Sequence, residues 1–554
     1  MLLLDVNNVY KSIGPIDLLE SISFKLYKGD KSGIIGVNGS GKSTLIKIIT
    51  GKIKVNKGNV NTFGKIGYLP QNLYFSKNIK VKDFLENIFD YNEFLKTLNS
   101  FEFKLDELLN QNINTLSGGE KTKLFLAKII ANNPDILLLD EPTNNLDWQS
   151  IEIVEEYINQ FKGGVLLISH DRHFLDHVVT EIYELDNKKL KKYSGNFSFY
   201  ANEKRLEKER AKIEYEEYIK TKRKLEEAAR IQMERANKYN DISKDDFQRH
   251  KASKIAKRSK AIISRLEDMD IQERPFKPKE VNIKIDSINE KTSTFLVRGT
   301  NISKTYDKTI FKNLSFQIKN GNRIALIGKN GSGKSTLLKA ILGIENISGD
   351  ISISPSTKIG YFSQEIDTLN WENTILEELK QIQIDETYIR TMLGSMLFRR
   401  DDVYKRIGDL SFGEKVRVAF TKLVMSENNL LLLDEPTNFL DIPTREAIEL
   451  ALLNYNGAIL FVSHDRYFIN KVAKEIWSID NETMTVYLGN YEYYLSKRNS
   501  PQKSEHNLNE KILALEMELS HLSFKLLSST EEEKKSLDEK YIQLAKELTK
   551  LKNM

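Results

Sequence analysis

Two kinds of hydrophobic pattern run along this chain. Short apolar runs such as SGIIGV at 32–37, LLLD at 137–140 and VLLIS at 165–169 end in glycine or polar residues, as buried strands do. They return as IALIGK at 324–329, LLLD at 431–434 and ILFVS at 459–463. Each set predicts an α/β domain with a mostly parallel sheet.

Two other tracts carry helical spacing. From about Tyr200 to Ser287 the chain is dense in Lys, Arg and Glu, and it predicts two helices. In the second, Ala252, Ile255, Ile262, Leu266 and Met269 fall on heptad core positions, while the first, from about Asn202 to Asn237, is less regular. NKYNDISKDDFQ at 237–248 interrupts the pattern and predicts a hairpin tip, with Tyr239, Phe247, Arg249 and His250 near it. A helix of about 35 residues would reach about 50 Å. Near the C-terminus, Leu508, Ile512, Leu515, Leu519, Leu522 and Leu526, then Leu537, Tyr541, Leu544, Leu548 and Leu551, predict a second helical hairpin, with Ser529 and Glu532 spaced as a capping box.

The two strand sets belong to an internal repeat. GVNGSGKST at 36–44 matches GKNGSGKST at 328–336; Gln71 matches Gln364, LSGGE at 116–120 matches LSFGE at 410–414, LLLDEPTNNLD at 137–147 matches LLLDEPTNFLD at 431–441, and SHDR at 169–172 matches SHDR at 463–466. Five motifs in one order mean duplication. The expected organisation is a first domain at 1–199, a charged helical linker at 200–290 with its tip at about 237–250, a second domain at 291–498 and the C-terminal hairpin at 499–554.

Composition narrows the class. The chain has 554 residues, no cysteine and a net charge of +5. Disulfides and thiolate metal sites are excluded, and no apolar run of about 18 residues is present to cross a bilayer. The N-terminus lacks the basic start of a signal peptide. A cytoplasmic protein is expected. Charge is uneven: Glu203 to Lys260 holds 19 Lys or Arg against 12 Asp or Glu, an excess that fits a polyanionic partner, whereas 503–554 holds 9 Lys against 10 Asp or Glu and fits packing against protein.

In both repeats a strand enters a glycine-rich turn that opens a helix. Gly36, Gly39 and Gly41, with Asn38 and Ser40, and likewise Gly328, Gly331 and Gly333, with Asn330 and Ser332, let backbone N–H groups converge on phosphate oxygens at a helix N-terminus. Lys42 and Lys334 would neutralise the outer phosphates, followed by Ser43 and Thr44, and by Ser335 and Thr336. Ser43 and Ser335 would place a hydroxyl on Mg²⁺, anchored also by Asp140 and Asp434. Glu141 and Glu435 follow those aspartates, as general bases for an attacking water would. His170 and His464 follow apolar strands and can contact the γ-phosphate.

On LSGGE, LSFGE and the paired EPTN-LD segments, residues 1–200 and 295–498 resemble the ATP-binding cassette superfamily. The resemblance implies ATP and Mg²⁺ as ligands, an ATP hydrolase, a helical subdomain led by the signature motif, and two cassettes closing head to tail within one chain, with no second subunit needed. Lys42 and Glu141 would then work with Ser411, Gly413 and Glu414, and Lys334 and Glu435 with Ser117, Gly118, Gly119 and Glu120. Gln71 and Gln364 join the Mg²⁺ set, Asp147 and Asp441 the ATP set, and Tyr306 would stack on adenine. Phe412 departs from the usual signature glycine, and Ile13 aligns with Tyr306, so the Lys42 site is expected to differ in rate from the other.

Tandem cassettes joined by a charged helical linker, without a membrane part, resemble the ABC-F group. That resemblance implies a ribosomal partner, with the linker reaching large-subunit rRNA and the tRNA at the exit and peptidyl sites. Gln71 to Ser117 spans 46 residues and Gln364 to Ser411 spans 47, so the first cassette lacks the helical insertion of housekeeping members. This is similar to the antibiotic-resistance, ribosome-protection members. A housekeeping translation factor is the alternative. A transporter ATPase subunit would leave the linker without a role, and a chromosome-maintenance ATPase would have one cassette interrupted.

Overall fold

The computed structural model describes residues 1–73, 79–86, 88–101, 103, 105, 108–242, 246–267, 269, 295–306, 308–363, 369–382, 385–498, 519 and 541–546. The chain divides into two compact units, one formed by Met1–Phe197 with Lys279–Met554, the other by Ser198–Pro278.

Within the first unit, the two repeats fold alike. In the first, strands Ile66–Leu69, Ile136–Asp140, Gly164–Ile168, Lys31–Ile35, Glu181–Asp186 and Lys189–Tyr193 lie side by side in that order, all parallel but the last. The second repeats the arrangement with Ile359–Phe362, Leu430–Asp434, Ala458–Val462, Arg323–Gly328, Glu475–Asp480 and Thr483–Tyr487. The wholly apolar runs explain the burial: every residue of Ile136–Asp140 and of Gly164–Ile168 is buried, so neither sheet face meets water. A three-stranded antiparallel sheet, Ile16–Tyr27, Leu2–Ile13 and Lys57–Thr62, adds Leu4, Val6 and Leu26 to one face. Leu45 and Ile46, from helix Lys42–Ile49, fill the space between the sheets. The fold class expected from sequence, α/β with two tandem cassettes, is what the structure has.

The two halves are joined by reciprocal buried charges. Arg172, 2% exposed, donates to Glu449 and lies 3.6 Å from Asp465, with its guanidinium over the Tyr467 ring at 3.9 Å. In the opposite direction Arg466 donates to the Trp148 carbonyl at 3.0 Å and lies 3.6 Å from Glu155. Arg172 and Arg466 occupy equivalent positions of the two SHDR motifs. A buried ion pair stabilises only where each partner is well matched, so these contacts define one register of the halves.

The second unit holds helices Phe197–Ile242 and Asp246–Glu267, of 46 and 22 residues. The longer spans about 70 Å at 1.5 Å per residue. Ser259 Oγ donates to the Ala229 carbonyl at 3.1 Å, and both residues are buried, which fixes the two helices side by side. Ile255, Ile262, Leu266 and Met269 share the partly covered face with Ser259. The first helix has its own stripe after all, through Tyr215, Ile219, Lys222, Leu225 and Ala229, because tyrosine rings and lysine stems cover apolar surface while their tips stay wet.

The predicted interruption at 237–248 narrows to at most the three residues 243–245, which lie outside the described residues. Helix continues through Tyr239 to Ile242 and resumes at Asp246, so Phe247, Arg249 and His250 are also helical. Asn, Asp and Ser cost a helix interior only a few tenths of a kcal/mol each, and no Gly or Pro breaks the backbone here. Of the C-terminal hairpin, 541–546 is helical and the remainder lies almost wholly outside the described residues. Among the described residues, no helix is long and apolar enough to cross a membrane.

Candidate functional site

In each cassette the glycine turn leads into a helix, Lys42–Ile49 or Lys334–Ile341, capped by Gly41 at φ 102° or Gly333 at φ 93°. These are left-handed conformations that only glycine adopts without strain. Each lysine ammonium is held by its own loop: Lys42 Nζ donates to the carbonyls of Gly36 (2.7 Å) and Val37 (2.9 Å), Lys334 Nζ to those of Gly328 (2.9 Å) and Lys329 (3.0 Å). Burial lowers the pKa of both.

Beside each loop the sheet delivers carboxylates. Ser43 Oγ donates to Asp140 at 3.2 Å and Ser335 Oγ to Asp434 at 3.1 Å. Glu141 and Glu435 follow at the strand ends with φ of 54° and 51°, conformations costly for a side-chain-bearing residue and concentrated at functional sites. Burial pushes both carboxyls up to about 7, opposed at Glu141 first by Arg445 and then by Lys42, and at Glu435 first by Lys334. His170 Nε2 is 3.6 Å from Glu141, and His464 Nε2 3.5 Å from Glu435. Burial drives His170 well below the usual range and His464 to about 3, so both rings are neutral.

Each pocket takes one wall from each cassette. The first gathers Asn38, Gly39, Gly41, Lys42, Ser43, Thr44, Gln71, Asp140, Glu141 and His170 from cassette one with Phe412, Phe439 and Arg445 from cassette two. The second gathers Asn330, Gly331, Gly333, Lys334, Ser335, Thr336, Tyr306, Asp434, Glu435 and His464 with Ser117, Gly118, Gly119, Glu120 and Asp147. The halves are stitched at the pockets. Asn38 donates its backbone N–H to Asp441 at 2.9 Å and its side chain to the Phe439 carbonyl at 3.0 Å, and Asn330 Nδ2 donates to the Asn145 carbonyl at 3.1 Å. Asp441 and Asp147 also cap the helices that follow them, at Thr444 and Ser150.

Ser117 and Ser411 cap the signature helices Gly118–Ala131 and Phe412–Met425, in capping boxes with Glu120 and Glu414. A Cβ built on Gly413 would meet Asn38 Nδ2 at 3.9 Å, which places Gly413 against the opposite phosphate loop. Ser40 and Ser332 bury hydroxyls that have no hydrogen-bond partner. Gln364 lies outside the described residues. Ile13, expected on the first pocket's wall, closes a hairpin against Ile16 and is not among the residues lining that pocket, which include Leu18.

The donors fit Mg²⁺ bound together with a nucleotide. Asp140 Oδ2 is buried and unpaired beside the Ser43 hydroxyl, and hard oxygen donors of this kind suit that ion. No group of three His, Cys, Asp or Glu side chains among the described residues could hold a metal unaided, which suits an ion whose other ligands are phosphate oxygens and water.

Sequence reading missed Arg445, Phe439, Asn145 and Leu18. The repeat itself held the signal for three of these, since Arg445 aligns with Ile151 and Phe439 with Asn145.

The geometry defines paired nucleotide-binding cassettes that share their two sites. A family model described as "ABC transporter" matches residues 19–144 and 311–438. The chain is 33% identical to the putative ATP-binding protein YdiF of Bacillus subtilis, over 90% of this chain and 83% of that protein. It is 31% identical to ABC transporter F family member 5 of Arabidopsis thaliana, over 89% and 77%. It is 32% identical to the ribosome protection protein VmlR of Bacillus subtilis, over 99% and 98%. The solved structure titled RNase-L Inhibitor superposes with a TM-score of 0.61 at 20% identity, covering 89% of this chain and 92% of that one, a likeness of fold. The chain belongs to the ABC-F family of ATP-binding cassette proteins, and its cassettes bind and hydrolyse ATP.

Proposed function

We propose that this protein is a cytoplasmic ribosome-protection ATPase, whose cassettes close on two ATP and whose helical linker reaches the peptidyl transferase region to relieve antibiotic inhibition. The carrying observation is the linker: a 46-residue helix paired with a 22-residue one, in a segment with 19 basic against 12 acidic residues. Large-subunit rRNA and the tRNA at the exit and peptidyl sites present phosphates that reward such a surface in a salt-dependent way. In support, a relative matched over 98% of its own length is named a ribosome protection protein, and the 46-residue Gln71–Ser117 interval leaves no room for an added arm. The protein acts as a monomer, because both halves of each site lie on one chain. On this reading the parts are a cassette at 1–199, a linker at 200–290, a cassette at 291–498 and a C-terminal hairpin at 499–554.

At each site the backbone N–H groups of the phosphate loop, with Lys42 or Lys334, bind the phosphates. Ser43, Asp140 and Gln71, and Ser335, Asp434 and Gln364, would hold Mg²⁺, which when bound would offset phosphate charge. Glu141 and Glu435 accept the proton of the attacking water, a role favoured by a carboxyl raised toward neutral pH. His170 and His464 donate toward the γ-phosphate. Ser411, Gly413 and Glu414, and Ser117, Gly118, Gly119 and Glu120, present the opposite helix N-terminus. Tyr306 stacks on adenine in the second site.

The test is co-sedimentation of the Glu141→Gln/Glu435→Gln variant with bacterial ribosomes, with and without ATP, adding a radiolabelled peptidyl-transferase drug. ATP-dependent pelleting with drug release supports the reading. Pelleting with the drug retained favours a housekeeping translation factor. No pelleting, with ATP binding intact, removes the ribosomal assignment.

A further inference from the structure

The two pockets are not chemically equivalent at one buried position. Arg445 lies in the first turn of helix Ile442–Leu453 in cassette two, is 6% exposed, and forms part of the wall of the pocket that cassette one builds around Lys42 and Glu141. Its guanidinium is fixed at two points: Nε donates to the Leu440 carbonyl at 3.0 Å, and Nη1 to Asp465 at 3.0 Å. The equivalent residue of cassette one is Ile151, 2% exposed, and no arginine is among the described residues lining the second pocket. A planar, always-charged group held in this way lines the first pocket and not the second.

The surroundings show what that charge faces. Glu141 Oε1 is buried without a hydrogen-bond partner, as is His170 Nδ1. Arg445 and Glu141 line the same pocket from opposite cassettes, whereas the pocket of Glu435 takes Ser117, Gly118, Gly119, Glu120 and Asp147 from the facing cassette. Because Arg445 comes from the opposite cassette, its action on Glu141 exists only while the halves are together.

We propose that Arg445 is a positioning residue delivered in trans, which holds Glu141 and its water in line with the γ-phosphate at the first site alone and so makes hydrolysis there conditional on closure. This rests on the assignment of Glu141 and Glu435 as the two bases. It is independent of the Phe412 and Ile13 differences seen in sequence, and it concerns a side chain those differences do not touch.

The experiment isolates each site in the full chain. Arg445→Ile, which copies cassette one, and Arg445→Lys are each placed in Glu435→Gln, where the first site turns over, and in Glu141→Gln, where the second does. Steady-state ATPase gives kcat and KM, and thermal unfolding checks the fold. Arg445→Ile should lower first-site kcat about tenfold or more with KM changed less than about threefold, the pattern for a group that acts in the transition state. The second-site loss should be at least about fivefold smaller, and Arg445→Lys should restore part of first-site kcat because the charge remains. Equal losses at both sites would assign Arg445 to the interface and overturn the proposal, as would an unchanged first-site kcat. If Arg445→Ile does not fold, the Lys variant decides between the same outcomes. Full activity in both parent Glu→Gln variants would count against the glutamate roles, and with them against an arginine acting through Glu141; parents of lowered activity with no Arg445 effect would count against Arg445 alone.

Discussion

Phe412 and Phe439 meet edge to face on the wall of the Lys42 pocket, ring centroids 6.3 Å apart at 81°. The equivalent positions at the other pocket are Gly118 and Asn145, and a Cβ on Gly118 would meet Asn145 Nδ2 at 2.9 Å. The two signature loops have thus been rebuilt as pairs, small with polar in one and aromatic with aromatic in the other. Phe439 holds φ 60°, a strained conformation for a bulky side chain, where Asn145 holds φ 63° at little cost.

Unequal walls imply unequal turnover. Glu141→Gln and Glu435→Gln should lower steady-state ATPase by factors that differ at least about threefold, a difference of about 0.7 kcal/mol in barrier. Equal losses would mean that the aromatic pair does not affect chemistry. Phe412→Gly/Phe439→Asn should narrow the gap while changing stability by less than about 1.5 kcal/mol, since relieved backbone strain offsets the lost ring contact.

The arginines that join the halves should differ in weight. Arg172 is 2% exposed and its partner Glu449 is fully buried, so Arg172→Met leaves a buried carboxylate with only Lys471, at 2.8 Å, to pair with and should cost about 2–4 kcal/mol in denaturant unfolding. Arg466 has a backbone acceptor and carboxylates at 3.6 and 3.8 Å, one of them half exposed, so Arg466→Met should cost about 1–3 kcal/mol. Arg172→Met/Glu449→Met should recover much of the first loss; failure to recover would mean the pair acts through Asp465 and Lys471 instead.

Glycine is required at the phosphate loops for two reasons, and they can be separated. Gly41→Ala and Gly333→Ala both strain a left-handed residue by about 1 kcal/mol or more. At Gly333 the new methyl also collides with Ile310 Cγ2 and Phe311, while at Gly41 its tightest contact is Leu19 Cδ2 at 3.2 Å. ATP affinity measured by fluorescent-nucleotide titration should therefore fall further for Gly333→Ala.

If the linker engages rRNA, ribosome affinity should fall steeply with salt. Replacing three linker lysines, Lys254, Lys257 and Lys260, should reduce the slope of log K against log salt by about 2–3. Replacing 239–250 with Gly-Ser repeats, which removes Tyr239, Phe247, Arg249 and His250, should abolish drug protection with ATPase retained; retained protection would sink the tip assignment.

Much of the site was legible because phosphate binding is a local problem: a glycine turn, a lysine and a serine lie within nine residues, and a strand places Asp140 and Glu141 together. Arg445 was not legible because its pocket joins residues about 300 positions apart, and only the mismatch with Ile151 marked it. Ile13 and Tyr306 both stand at the hairpin that joins the first two strands of their cassette, paired Ile13 with Ile16 and Thr305 with Thr309, yet only Tyr306 is among the residues lining its pocket. The helix ends at 239–242 and 246–250 were read as loop because Asn, Asp and Ser lower helix propensity without forbidding it, and no Gly or Pro lies among them.

The cross-stitched pockets also change how loss-of-function alleles group. Asn38 and Asp441, 403 positions apart, belong to one site, while Asp441 and Asp434, seven apart, belong to different ones. Two damaged copies that each lose a different half of the Lys42 site would fail to rescue one another unless they paired between molecules. A map of variants drawn by domain would scatter them; drawn by shared pocket, it would gather them into two sets.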